Sequence, residues 1–155
     1  MKRTAPGLSD HLLERQLDIV VANEDTATAV VLDHIAEYDA RKLYRAAGYS
    51  STFTYCVSKL RRSEVAAYKR IRAARAAQRF PAIFDAVAEG RLHLSGVVLL
   101  APHLTEATAG ELISAATHKT MAEIQRLLAE RFPRPDVPTR ILPIPALPPA
   151  MPMAK

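Results

Sequence analysis

The sequence predicts an all-α protein, a multi-helix bundle followed by a disordered proline-rich tail. Three observations point there. Hydrophobic residues make up 49% of the 155, with no Trp and little Phe or Tyr, so the core should consist of Leu, Ile, Val and close-packed Ala, the habit of helical proteins. Apolar positions recur at helical spacing through most of the chain before residue 133. Eight of the eleven prolines then crowd into PRPDVPTRILPIPALPPAMPMAK, which cannot sustain a helix or a sheet interior. The expected organisation is a flexible start over residues 1–8, one helical domain over 9–132 and a tail or linker over 133–155.

Taken in order, Ser9 or Asp10 caps a first helix through HLLERQLDIVVAN, with Leu12, Leu13, Leu17, Val20 and Val21 at helical spacing. A second helix is expected from about Asp25 to Ala46, with Val30, Val31, Ile35, Tyr38 and Leu43 apolar and Gly48 as its stop. In YSSTFTYCVSKL, Ser50 or Ser51 caps a short helix with Phe53, Cys56, Val57 and Leu60 on its apolar side. Arg61 and Arg62 break the chain, Ser63 caps again, and EVAAYKRIRAARAAQR runs helically to Phe80. Pro81 suits the first turn of AIFDAVAE, closed by Gly90; Ser95 is the expected cap of GVVLLA, broken by Pro102. Thr105 opens TEATAGELISAAT, and Thr120 with Glu123 makes a capping box for MAEIQRLLAERF.

Several function classes find no support. The basic start reaches no uninterrupted apolar run before Asp10 and His11, and nowhere do some 18 apolar residues follow one another, so neither a signal peptide nor a membrane span is expected. One cysteine, Cys56, excludes an internal disulfide and fits a reducing, cytoplasmic setting; on its helix's apolar stripe it reads as a small buried hydrophobe. His11, His34, His93, His103 and His118 show no metal-ligand spacing, Asp33 and Glu37 form the kind of i,i+4 pair that helices carry routinely, and no glycine-rich phosphate loop occurs. Catalytic residues, metal and cofactor are therefore expected to be none.

Charge is the informative feature. Between residues 59 and 79, Lys59, Arg61, Arg62, Lys69, Arg70, Arg72, Arg75 and Arg79 stand against Glu64 alone, +7 in a chain of net charge +5, which leaves −2 for the rest. Projected at 100° per residue, Lys69, Arg72, Arg75 and Arg79 share an arc of about 120° with Val65 and Tyr68. Ala66, Ala67, Ala73, Ala74 and Ala77, with Ile71 at the edge, line the opposite side, where Arg70 must snorkel or pair. A short helix, a tight break and a basic helix make the pattern of a helix-turn-helix over about residues 52–79. Lys and Arg neutralise phosphates and release counterions, and Arg bonds guanine bidentately in the major groove. The candidate nucleic-acid contacts are Arg61, Arg62, Ser63, Tyr68, Lys69, Arg72, Arg75 and Arg79. For Ser63 the N-cap role weighs at least equally, and for Tyr68 so does half-buried packing. A solvated helix face, or a surface for an acidic protein, would use the same residues.

Two resemblances accompany these residues. The order of KLRRSEVAAYKRIRAAR, FPAIFDAVAEGRLHLSGVVLLAPHL and HKTMAEIQRLLAERF resembles the DNA-binding core of ParB and KorB-type partition proteins, including the Gly90-Arg91-Leu92 step and the Thr120 to Glu123 cap. That family's upstream nucleotide-binding motifs are not found, so no CTP-dependent clamp is implied. More closely, HIAEYDARKLYRAAGYSSTFTYCVSKL, SEVAAYKRIRAARAAQRFPAIFDAVAEGRLHLSGVVLLAPHLT and FPRPDVPTRI resemble the N-terminal helical region of bacterial HNH endonuclease-like proteins, over about residues 25–140. In those proteins a Pro-rich linker leads to a nuclease domain; this sequence ends after the linker, and no nuclease residue is carried over. The expectation is a cytoplasmic, nucleoid-associated module that binds duplex DNA, with residues 9–46 as a possible homodimer surface. Its alternatives are a helical protein-interaction module and part of an endonuclease whose catalytic domain lies elsewhere; structured RNA would present the same phosphates.

Overall fold

The computed structural model describes residues 3–133, so the disorder expected of the Pro-rich tail concerns residues that, Pro133 apart, lie outside the described ones. Among the described residues there are seven α-helices and no strand: α1 (Asp10–Ala40), α2 (Thr52–Ser58), α3 (Glu64–Arg79), α4 (Ala82–Ala88), α5 (Leu94–Leu100), α6 (Ala109–Ala115) and α7 (Met121–Arg131). The all-α reading holds. Of the start assigned to residues 1–8, Ala5–Gly7 forms one 3-10 turn that buries nothing.

The architecture is organised around α3, which packs against α1, α2, α4 and α5. Its inner face carries Ala67, Ile71, Ala73, Ala74, Ala76 and Ala77, all buried. Alanine holds the helix with no side-chain entropy to lose, and its single methyl lets neighbouring helices approach closely. Leu32, Ile83, Val97, Leu100, Leu112 and Ile124 fill the space around that seam from five other helices and are fully buried. The expected alanine face is present, with Ala76 added to it and Ala66 left partly exposed.

The N-terminal region departs from expectation. The two helices expected over 11–23 and 25–46 are one helix of 31 residues, about 46 Å long. Asn23, Asp25 and Thr26 look like caps in the sequence, yet each is accommodated inside the helix. The Thr26 hydroxyl donates to the Ala22 carbonyl (3.0 Å), a back-bond that satisfies it within the turn. Asp25 lies over Gly90, where an added Cβ would sit 2.6 Å from its carboxylate, and Gly90 adopts φ +68°. That helix stops at Ala40, six residues before the expected Ala46. Lys42 enters the left-handed region (φ +55°) and the Leu43 amide donates back to the Tyr38 carbonyl, the closing bond of a Schellman turn.

Smaller corrections concern caps. His93, not Ser95, caps α5: its Nδ1 accepts from the Gly96 amide at 2.9 Å. Thr105 opens only a hydrogen-bonded turn with Thr108, and α6 begins at Ala109. The Thr120–Glu123 capping box of α7 is present in full.

The seam makes a direct forecast. Ala74→Leu, at a position with no exposure, should cost about 1–3 kcal/mol by overpacking, whereas Val65→Ala on the same helix, 65% exposed, should stay within about 0.5 kcal/mol. Chemical denaturation of both variants measures the contrast.

Candidate nucleic-acid interface

The segment joining α2 to α3 decides how α3 is presented. After Ser58 the chain closes on itself: the Leu60 amide donates to the Tyr55 carbonyl (3.2 Å) and the Arg62 amide to the Cys56 carbonyl (3.1 Å). Between them Arg61 takes φ +53°, a conformation that favours glycine, so an exposed arginine occupies the residue on which the turn pivots. Ser63 then starts α3 from extended backbone, its hydroxyl accepting from the Ala66 amide at 3.2 Å. Ser63 is thus an N-cap.

Along the outer face of α3, Val65 is 65% and Tyr68 50% exposed, so Tyr68 is a surface side chain rather than a core one. The Arg72 guanidinium lies 5.6 Å from the Tyr68 ring centre, and Arg79 lies 5.3 Å from that of Phe80. Such cation–π contacts hold each guanidinium in place without neutralising it. Arg72, Arg75 and Arg79 line one side of a surface depression of about 260 Å³, closed by Phe80 and Pro102. Arg61, Arg62, Lys69, Arg72 and Arg79 make no ion pair with any described residue. Arg70 lies off this face, partly exposed, its guanidinium 3.4 Å from the Ala66 carbonyl.

Arg75 is different. Its Nε and Nη2 grip the two carboxylate oxygens of Asp39, at 2.8 and 3.1 Å, and the Thr52 hydroxyl donates to Asp39 as well, at 2.6 Å. The arginine is therefore a brace between α3 and the end of α1, with Thr52 joining α2 to the same carboxylate. Its bonds hold the Asp39 carboxyl below the ordinary aspartate range, against the opposing effect of burial, with Thr52 assisting. Arg75 in turn is held above its ordinary value, chiefly by Asp39. No local pattern announces this pair, because the partners lie 36 residues apart.

Other candidate chemistry resolves simply. Cys56 is 2% exposed and burial pushes its thiol pKa up, which suits a core hydrophobe and disfavours a thiolate. Among the described residues no three His, Cys, Asp or Glu side chains gather as a metal site, and no helix is long and apolar enough to cross a membrane. The chain matches no protein-family model, and neither a curated protein nor a solved structure shows detectable similarity to it.

The brace yields two expectations. Asp39→Ala should destabilise the fold by about 2 kcal/mol, the scale of hydrogen bonds to a charged group. Because the folded carboxyl is depressed, its contribution is complete above the unfolded value of about 3.9 and is lost progressively as pH falls from there through the lower folded value. Denaturation series from pH 7 to 3 should therefore show wild type and Asp39→Ala converging in acid. Separately, Arg61→Gly should leave stability unchanged or slightly raised, since glycine accepts the φ +53° turn without strain.

Proposed function

We propose that the chain is a DNA-binding module in which α2, the turn at residues 59–63 and α3 act as a helix-turn-helix, with the outer face of α3 laid against duplex DNA. One observation carries the reading: Lys69, Arg72 and Arg79 stand on one face of a helix whose other face is cemented into the core, and no described acid neutralises them. A solvated helix face normally mixes signs, whereas α3 has Glu64 alone. A cationic face that keeps its charge and its geometry is what phosphate contact requires.

Roles divide along the face. Arg61 and Arg62, both exposed in the turn, suit phosphates beside the groove, as do Lys69, Arg72 and Arg79 along the helix. Tyr68 and Val65, near the helix start, supply apolar and hydroxyl groups where recognition helices meet base edges. Arg75 contributes positive potential while its guanidinium braces Asp39, so it acts mainly through the fold. In this reading the module serves as the targeting part of an HNH endonuclease-like protein in the nucleoid, in line with the sequence resemblance.

Fluorescence anisotropy on a random duplex tests the proposal. Affinity should fall steeply between 50 and 200 mM salt, and Arg72→Ala with Arg79→Ala should weaken binding and lower the logarithmic salt slope by about 2, one unit per lost phosphate contact. Unchanged binding in that double variant, or no retention of duplex at low salt, would sink the reading; tighter retention of structured RNA would redirect it.

A further inference from the structure

The first half of α1 buries no residue in this fold. Every residue from Ser9 to Glu24 is exposed, in the middle of a sequence rich in large aliphatic side chains. Leu12, Leu13, Ile19, Val20, Val30 and Val31 are 43–61% exposed. At 100° per residue these six fall within an arc of about 120° on the side facing away from the buried Ala29, Leu32 and Ala36. They extend over about 30 Å of that arc, in two groups separated by Asn23 and Ala27, with Gln16 and His34 on the same face. With Leu17 at its border, half-exposure of these side chains sums to roughly 500–600 Å², most of the roughly 800 Å² per partner that a stable interface buries.

At its far end the stripe runs into a cleft of about 370 Å³ between α1 and α2, walled by Val31, Ile35 and Tyr38 on one side and by Tyr55, Cys56 and Leu60 on the other. Tyr38 and Tyr55 stack there at 4.5 Å. The helix thus has leucines at one end and an apolar cleft at the other.

One pair of exposed opposite charges gives self-pairing a register. The 31 residues of α1 hold eight acidic side chains and a single arginine, Arg15. Arg15 and Asp33 are both exposed, neither is in an ion pair among the described residues, and they lie on the same flank of the stripe, nine residues either side of Glu24. An antiparallel two-fold pairing of α1 centred at Glu24 sets Arg15 of each copy opposite Asp33 of the other. The same register sets Leu13 and Leu17, on the opposite flank, against Ile35 and Val31 at the mouth of the other copy's cleft. One placement therefore satisfies the lone cation and fills both clefts, as an isologous interface requires.

We infer that the apolar stripe of α1 is the surface on which two copies of this chain pair antiparallel about Glu24, each inserting Leu13 and Leu17 into the other's α1–α2 cleft. This stands whether or not α3 binds nucleic acid.

Sedimentation equilibrium of the full chain, with circular dichroism to confirm folding, provides the test. The wild type should be a dimer at micromolar concentration, and Leu13→Asp with Leu17→Asp should raise Kd by more than about 100-fold without loss of helicity, since both residues are exposed in the single chain. Arg15→Asp alone should weaken pairing by about tenfold, and the exchange Arg15→Asp with Asp33→Arg should restore it. Glu24→Gln, which removes two like charges from the axis, should tighten it severalfold. A monomeric wild type overturns the inference. So does an exchange variant that stays as weak as Arg15→Asp, or a Glu24→Gln variant that weakens association.

Discussion

The alanine seam of α3 is the constraint on which the molecule rests. A helix in contact with α1, α2, α4 and α5 leaves little room for side chains on its inner face, and alanine is the residue that joins close approach to high helix propensity. Because Ala67, Ala73, Ala74 and Ala77 are fully buried, the helix has one permitted rotation about its axis. That rotation determines which residues face outward. The position of Lys69, Arg72 and Arg79 on the surface is thus a consequence of methyl groups on the far side. The Asp39 brace then fixes the end of α1 and the start of α2 relative to this helix through Arg75 and Thr52.

This dependence explains why α3 was legible from sequence and α1 was not. In α3, composition, capping and periodicity agree: Ser63 caps, alanines mark the interior, basic residues mark the exterior, and the expected limits coincide with the observed Glu64–Arg79. In α1 they conflict. Asp25 and Thr26 resemble a helix start, but the Thr26 hydroxyl bonds back to the Ala22 carbonyl and the Asp25 carboxylate lies over Gly90. The end of α1 is set by a left-handed Lys42 and a back-bond to Tyr38, for which glycine would have been the visible signal. His93 in place of Ser95 follows the same logic, since any acceptor of the right reach serves as a cap.

The candidate site divides along similar lines. Sequence spacing places Lys69, Arg72, Arg75 and Arg79 on one face, and they do share it. Spacing cannot separate a cation held by a carboxylate 36 residues away from one held only by an aromatic ring, and that separation distinguishes Arg75 from Arg72. The first is committed to the fold; the second keeps its charge available. A contact that joins distant segments leaves no trace in a window of helical length.

Segregation of charge links the two proposed surfaces. Helix α1 carries eight acids and one arginine while α3 carries one acid and five basic residues, so the molecule has an acidic, apolar-striped arm and a basic face. The acidic arm would be repelled by a polyanion lying along α3, which leaves its apolar stripe for protein contact instead of nucleic acid. Two copies joined through α1 would each still present an unobstructed α3, because α3 packs against α1 from the buried side, opposite the stripe. The proposed pairing face therefore lies on the side of α1 turned away from α3, and filling it would leave Lys69, Arg72 and Arg79 uncovered.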